Sequence, residues 1–450
     1  MLARHSDGAR PGSKSVNSEV ALNPRSQARV WPFIGLLLGL LAAPPAIAAQ
    51  GRPDTLALSR RDAIDTALAR NPVLTVAREQ IEQARARVVE ATAFPDPSVS
   101  GMTTLSGPGA NAGSDIGVAL TVPFPQKFHL KGNVSRADLR AAEFAYTQLR
   151  QATASQTAQA YDALLIALKH QSDLTESKTL AEQFLQKTQA RFEGGTAARL
   201  DVLKAKVDVA AAENALLANQ RDISNARATL NRLLGRMLGA MVVAADSLAV
   251  PGDLPDLEPL IAAAQASRPE LHGLASQRAG ARAATTLASQ YWLPDLSVGF
   301  DKTIFPGVPD SYTGTIGFTL PLLFWNHRRG EVAESRHHEL ELEAAYRDLV
   351  AQVDEDVRTT YATAATALRQ AQYLRDDLLP EARRAYEIAL TSYGLGGSSA
   401  LEVLDSRRTL LDAESQFADA LGAANDARAD LERAVGAPLD PVSPGESHDH

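Results

Sequence analysis

Two carboxylates stand one helical turn apart in the stretch Leu401-Glu402-Val403-Leu404-Asp405. At that spacing they share one face of a helix, and two kinds of chemistry suit them. Acids in a first turn favour the N-terminal dipole of the helix by about 0.3–1 kcal/mol. Acids gathered around a pore concentrate cations and repel anions. Capping accounts for Glu402 but less well for Asp405, which lies further into the helix. The surrounding stretch occurs twice. Phe192 to Leu203 and Tyr393 to Leu404 both read aromatic-x-x-Gly-x-x-x-x-Leu-acid-Val-Leu, at an offset of 201 residues. The earlier copy keeps its acid at Asp201 and carries Lys204 where the later one carries Asp405.

Other reactive groups are sparse. The chain has no cysteine, which excludes a disulfide framework, a thiol nucleophile, a Cys-based zinc site and a lipidated N-terminal cysteine. His129, His327 and the pair His337-His338 have no second histidine or carboxylate at clear ligand spacing, beyond the glutamates common on a solvated helix. They read as surface groups, and His448-Asp449-His450 reads as part of a solvated tail. No metal and no cofactor are expected. Gly-x-Ser-x-Gly, a phosphate loop, His-Glu-x-x-His and a dinucleotide fingerprint are all missing, so the chain does not read as an enzyme. A net charge of −8 argues against nucleic acid as a partner.

The elements that must position the doubled stretch are helices. Hydrophobic residues make up 45% of the chain and aromatics only 5%, so the apolar content is largely Ala and Leu, which suits long, closely packed helices. From Lys131 to Ala190 there is no proline and one glycine, Gly132. Roughly sixty residues of helix would run about 90 Å and must pack laterally along their whole length. Gly195 and Gly396 are where helices reverse, because a left-handed cap suits glycine. Small polar residues then start the next helix. Each copy is therefore a helix–turn–helix tip, over 192–201 and 393–402.

The duplication extends well beyond the tips. Arg268-Pro269 matches Asn71-Pro72, Pro294-Asp295 matches Pro95-Asp96, Gly330 matches Gly132, and Tyr346 and Tyr361 keep the spacing of Tyr146 and Tyr161. The reading is a first repeat over 55–235, a connector over 236–257, a second repeat over 258–436 and a disordered tail over 437–450. Residues 1–48 read as a cleaved signal peptide. Arg4, Arg10, Lys14, Arg25 and Arg29 are basic, Phe33 to Ala43 is apolar, and Ala46-Ile47-Ala48 is a cleavage site. The apolar run is too short to span about 30 Å of hydrocarbon.

Each repeat also holds a hairpin. Ile116, Val118, Leu120, Val122 and Phe124 alternate with smaller residues, as do Leu296, Val298, Phe300 and, later, Ile316, Phe318, Leu320 and Leu322. Strands are expected at about 96–105, 114–124, 295–304 and 312–323. Ten-residue strands with one apolar face suit a membrane β-strand. Four cannot close a barrel, and an open edge in lipid is costly. Three copies of the chain would supply twelve.

These features together resemble the TolC-type outer-membrane efflux proteins. The resemblance rests on the two-fold repeat, the Pro-Asp lead into the strands, the strand ends at Val122-Pro123-Phe124 and Leu320-Pro321-Leu322-Leu323-Phe324, and the doubled tip. It covers roughly residues 55 to 436. It implies a mainly α fold with a small β part: a trimeric twelve-stranded outer-membrane β-barrel continued by a periplasmic α-helical barrel. It further implies a passive duct served by a periplasmic adaptor and an inner-membrane pump, for which it points to the resistance-nodulation-division type. Pro123-Phe124-Pro125-Gln126-Lys127, then Lys131-Gly132 and Arg136, is most similar to members that accompany heavy-metal cation pumps. The family's acidic constriction falls at Glu402 and Asp405, and its adaptor contacts at the tips, around Phe192, Gly195, Asp201, Tyr393 and Gly396. Tyr393 matches a family tyrosine that helps latch the tip, whereas the family's arginine would fall at Ser398 and is absent. A periplasmic coiled-coil scaffold or adaptor is the competing reading, although the β-rich flanks usual in adaptors are not seen.

Overall fold

The computed structural model describes residues 56–103, 113–305, 307–319 and 324–439. The signal-peptide reading, the strand end at Leu320–Leu323 and most of the tail with His448 and His450 lie outside them. In chain order the elements are β1 (Leu56–Leu58), α1 (Arg60–Arg70), α2 (Pro72–Ala91), β2 (Ser98–Thr103), β3 (Ser114–Val122), α3 (Pro125–Glu193), α4 (Arg199–Leu233) and β4 (Val242–Ala244). The second half continues with α5 (Leu257–Ser267), α6 (Pro269–Ser289), β5 (Asp295–Ile304), β6 (Ser311–Thr319), α7 (Phe324–Tyr373), a π turn (Leu374–Leu378), α8 (Leu379–Leu395) and α9 (Ala400–Val435).

Local chemistry sets the boundaries. Ser59 caps α1 in a reciprocal box with Asp62. Asn71 ends α1 and caps α2 through Val73 N at 2.9 Å, with Pro72 in the first turn. Proline fits there because its missing N–H has no intrahelical partner in any case. Pro269 repeats the device at the start of α6. Pro125 likewise starts α3 earlier than the sequence pattern suggests, and α3 reaches 69 residues, about 100 Å of helix.

The four longer strands form one antiparallel sheet in the order β2-β3-β5-β6. The register puts Val99, Val118 and Phe300 on one face, with Ile116, Leu120, Val298, Ile316, Leu296 and Phe318. Most of these side chains are exposed, Ile316 by 75% and Phe318 by 65%. The opposite face holds Ser100, Gly117, Asp301, Ser297 and Thr315. At Gly117 a Cβ would meet the Asp301 carboxylate and Ser100, which would have to swing aside. Lys302 ends the apolar face beside Tyr312, paired with Asp310 at 2.8 Å. Nine- or ten-residue strands, apolar on one side and small or polar on the other, have the build of membrane barrel strands. Among the described residues, neither sheet edge, β2 or β6, pairs with a further strand.

Each half has an apolar core of its own, and a third, with Phe184, Ala205, Tyr386, Tyr393 and Val403, joins the halves near the tips. In the first, Tyr161, Leu164, Leu230 and Leu234 are fully buried, and the Tyr161 hydroxyl donates to Leu58 O at 2.8 Å. The second gathers Leu271, Val353, Val357, Leu431 and Val435. The halves correspond in detail. Arg78 lies over the Tyr146 ring and Arg278 over the Tyr346 ring, at one offset of 200 residues.

Two features depart from the expected repeat. The second long helix is not continuous like α3: a π turn interrupts it at Leu374–Leu378, two residues ahead of Pro380. Proline lacks the N–H that an α-turn needs, and a single π turn is one way for a helix to absorb such a defect. The connector is also more ordered than a loop. Its β4 pairs in parallel with β1, Leu56 opposite Val242.

Candidate functional site

Each tip closes with a 6→1 bond around a left-handed glycine. Gly195 has φ 72° and Gly396 φ 87°. Thr196 N donates to Arg191 O at 2.8 Å and Gly397 N to Ser392 O at 2.9 Å. This Schellman-type reversal is what glycine allows. No atom lies within 4 Å of a Cβ built at Gly195, and at Gly396 only the Arg191 guanidinium comes that close. Both glycines are exposed, as is Phe192.

The next helix starts differently in the two tips. At the second, Ser399 and Glu402 form a complete capping box. Glu402 Oε2 accepts from Ser399 N at 2.8 Å, and Glu402 N donates to Ser399 Oγ at 3.3 Å. At the first, Asp201 accepts from Ala198 N at 3.4 Å, and Ala198 has no hydroxyl to answer. Asp405 is exposed, and among the described residues its carboxylate has no hydrogen-bond or ion-pair partner. Capping therefore accounts for Glu402 and Asp201 and leaves Asp405 unexplained.

Tyr393 is a core residue. It is 3% exposed, packs on Phe184 with ring centroids 5.4 Å apart, and its phenol oxygen has no hydrogen-bond partner. Its link to the first repeat runs through another atom. Arg191 donates to the Tyr393 carbonyl and, at 3.2 Å, to Thr196 O, with its guanidinium 4.5 Å above the Tyr393 ring. One arginine thus joins the two tips.

A second arginine joins them deeper in. Arg407 of α9 is 4% exposed. It donates to Ser177 O and Oγ on α3 at 3.0 and 2.8 Å and pairs with Asp208 on α4. Tyr386 lies against this pair. Burial pushes its phenol up to about 12; the Asp208 charge adds to the rise and Arg407 opposes it. Further along, Arg383 of α8 pairs with Glu414 at 3.1 Å and Glu176 at 3.6 Å. Burial raises the Glu414 carboxyl above its ordinary range, Asp173 and Glu176 add to that, and Arg383 pulls it back.

From the sequence, neither Arg191 nor Arg407 was singled out. Arg191 falls beside Phe192 where the second repeat has Ser392, and Arg407 is a cation among the apolar positions Val403, Leu410 and Ala413. That second anomaly was a usable signal. His337 and His338 are exposed, and among the described residues no three His, Cys, Asp or Glu side chains converge as metal ligands. No helix among them is long and apolar enough to cross a membrane.

The repeat, the sheet and the tips agree with what known proteins show. The family model described as outer membrane efflux protein matches residues 63–236 and 260–437. The chain belongs to the outer membrane efflux protein family. Among relatives, this efflux protein is 22% identical over 388 residues to the cobalt-zinc-cadmium resistance protein CzcC of Cupriavidus metallidurans, covering 84% of this chain and 90% of that one. It is 26% identical over 270 residues to the pyoverdine export outer membrane protein OpmQ of Pseudomonas putida, covering 56% and 55%. Among solved structures, it superposes on the outer-membrane channel OprN with a TM-score of 0.74 at 19% identity, over 85% of this chain and 91% of that one. It superposes on CusC with a TM-score of 0.74 at 18% identity, over 85% and 94%. The chain is thus an outer-membrane efflux protein whose described part is mainly helical.

Proposed function

We propose that three copies of this chain form a passive duct of a tripartite efflux system, joined at its tips by a periplasmic adaptor and driven by an inner-membrane pump. The observation that carries this is the four-stranded sheet with an apolar outer face and two open edges. In lipid, unpaired strand edges leave backbone groups unsatisfied, and pairing β6 of one copy with β2 of the next removes them. The helices support the same assembly. Within the chain α3 packs on α6, Ala137 against Gly280 and Phe144 stacked 5.3 Å from His272. The repeat gives α7 and α2 the corresponding faces, at His337 and Gln80, and both are exposed. So are Val73, Val76 and Val89 on α2 and Leu340 on α7. Lower down, α4 exposes Leu200, Leu203 and Val207, and α8 exposes Ile388 and Leu395. Each pair of edges is what neighbouring copies would bury.

At the inner mouth Glu402 and Asp405 would then form stacked acidic rings, with Glu402 doubling as a cap. Phe192, Gly195 and Gly396 are the exposed tip positions an adaptor would meet. Asp201 and the buried Tyr393 act from within, by shaping the reversal. Exported substrates are metal cations or small toxic compounds. CzcC, by its name a metal-resistance protein, favours divalent cations; OpmQ, named for pyoverdine export, favours an organic cargo.

The test is extraction of the mature chain from membranes. A detergent-requiring, heat-modifiable trimer is expected, and a chain that stays monomeric and soluble without detergent overturns the duct. Deleting the chain and challenging cells with a panel of metals and drugs then separates the cargoes. Sensitivity to divalent metals alone supports the metal branch.

A further inference from the structure

Besides the α3–α6 contact and the sheet, the two halves of the chain meet along α3 and α9, and that seam is lined with ionisable groups in antiparallel register. Gln159 donates to Asp430 at 3.0 Å. Asp426 comes next, under the charge of Asp162 across the seam. Ile166 packs on Gly422, His170 meets Asp419 at 3.2 Å, Asp173 and Glu176 act on Glu414, and Arg407 closes the row on Ser177.

The balance along the seam is acidic. Asp162 is 2% exposed and is held by Arg60 of α1 at 3.1 Å, so that cation is already engaged. Asp246 from the connector accepts from Arg60 N at 2.6 Å and from the Tyr161 hydroxyl at 3.1 Å. Asp430 adds a further negative charge from α9 itself, and Arg428 lines a cavity with Asp162 and Asp246. Around Glu414 stand Asp173, paired with Lys169, then Glu176 on α3 and Arg383 on α8, with Glu387 beside that arginine. Two carboxylate oxygens on the seam, Asp426 Oδ1 and Asp173 Oδ2, are shut off from solvent with no hydrogen-bond partner.

We infer that the α3–α9 seam is a proton-operated clasp: protons taken up by Asp426 and Glu414 tighten the join between the two halves of the chain, and their release loosens it. Protonation removes like-charge repulsion and supplies an O–H donor where none now exists. Burial pushes the Asp426 carboxyl up from 3.8 to about 6, Asp162 and Asp430 add to the rise, and Arg60 opposes it. Glu414 is raised in the same sense. A carboxyl whose pKa is higher in the folded chain binds its proton more tightly there. The stability it adds is full below the unfolded value and is lost as pH rises through the folded one. For Asp426 that window runs from about 4 to beyond 6. Both helices continue unbroken from the seam to the tips, so a looser seam is a looser footing for α9 at the tip. The clasp concerns the folded chain itself and does not depend on the duct reading.

Hydrogen exchange of α9 amides, measured on the full chain in detergent and corrected for intrinsic rates, tests it. Wild-type protection is expected to be about tenfold higher near pH 5 than near pH 7.5, the equivalent of about one pKa unit. In Asp426→Asn with Glu414→Gln, protection near pH 7.5 rises to the acid level and the response flattens, and Asp426→Asn alone flattens it in part. Asp412→Asn, exposed on the same helix and outside the row, keeps the wild-type response. A wild type indifferent to pH, or a double variant that responds as wild type does, overturns the clasp. The readout needs no conductance, so failure of the duct would be seen separately.

Discussion

The two tips share a scaffold and differ in everything laid upon it. Both reverse on a left-handed glycine, and both restart with Leu-acid-Val-Leu. Yet the first tip leads in from an uninterrupted α3, lacks a hydroxyl in its capping box and carries Lys204. The second leads in through a π turn, has a complete box and carries Asp405. Both tip-joining arginines tie the second tip to the first repeat, Arg191 from α3 and Arg407 onto α3 and α4. The difference leads to a prediction: the first repeat is the frame, and the second is the part that loosens first. The first repeat anchors; the second is jointed above and clamped below.

Breaking the deeper clamp should have the largest effect. Arg407→Ala leaves Asp208 half-buried and unpaired, and loss of one partner of such a pair costs about 3–5 kcal/mol. Thermal unfolding and protease nicking should both show α8 and α9 loosening before α3 and α4. Equal loosening of all four helices would mean that the first repeat is not the frame. Replacing Arg407 and Asp208 together with apolar residues of similar volume should recover much of the loss.

The glycines come next, and here the two tips should behave alike. Gly195→Ala and Gly396→Ala each force a Cβ into a left-handed conformation, which costs about 1–2 kcal/mol. Neither site is crowded, so no further clash adds to that. Thermal shifts that differ widely between the two variants would show that the shared scaffold is not shared energetically.

How much of this was open to reading in the sequence follows from how far apart the partners lie. The tips, the strands and the duplication are local patterns, and they were legible because period and punctuation carry them. β1 and β4 were not. Each is three residues long, and they are held by Tyr161 reaching Leu58 O and Asp246 rather than by any pattern of their own. The π turn had a signal in Pro380, since α3 has no proline after its first residue. Arg191 and Arg407 were hidden for a different reason: their partners Tyr393, Ser177 and Asp208 lie about half a chain away and belong to the other repeat. Asp405 could be singled out because it breaks the match with Lys204. What it does could not be read, since a side chain with no partner in its own chain declares its role only in an assembly.

Arg191 offers a sharper cut between the tips. Arg191→Ala removes donors to the Tyr393 and Thr196 carbonyls and a cation above the Tyr393 ring, together about 1–2 kcal/mol at a half-exposed site. The second tip should open more readily, seen as a higher resting conductance of reconstituted trimers. Tyr393→Phe should change almost nothing, because the phenol oxygen makes no hydrogen bond. If Tyr393→Phe opens the tip as far as Arg191→Ala does, the latch runs through the hydroxyl and the guanidinium is incidental.

The smallest effect on stability belongs to the acids, where the comparison between tips becomes functional. Asp405→Asn removes an exposed charge with no partner, so thermal stability should stay within about 0.5 kcal/mol. Glu402→Gln should do slightly more, because an uncharged group serves the box but forfeits the dipole interaction. Their effect on ions should run the other way. Three Asp405 carboxylates at one level of a narrow mouth would set its cation preference, whereas Lys204 at the matching place would not. Asp405→Asn should therefore lower cation selectivity and weaken block by multivalent cations, and Lys204→Gln should leave both nearly unchanged. Equal responses would mean that neither tip lines the constriction, and the asymmetry between Asp405 and Lys204 would then have to be explained by the neighbours each meets when copies assemble.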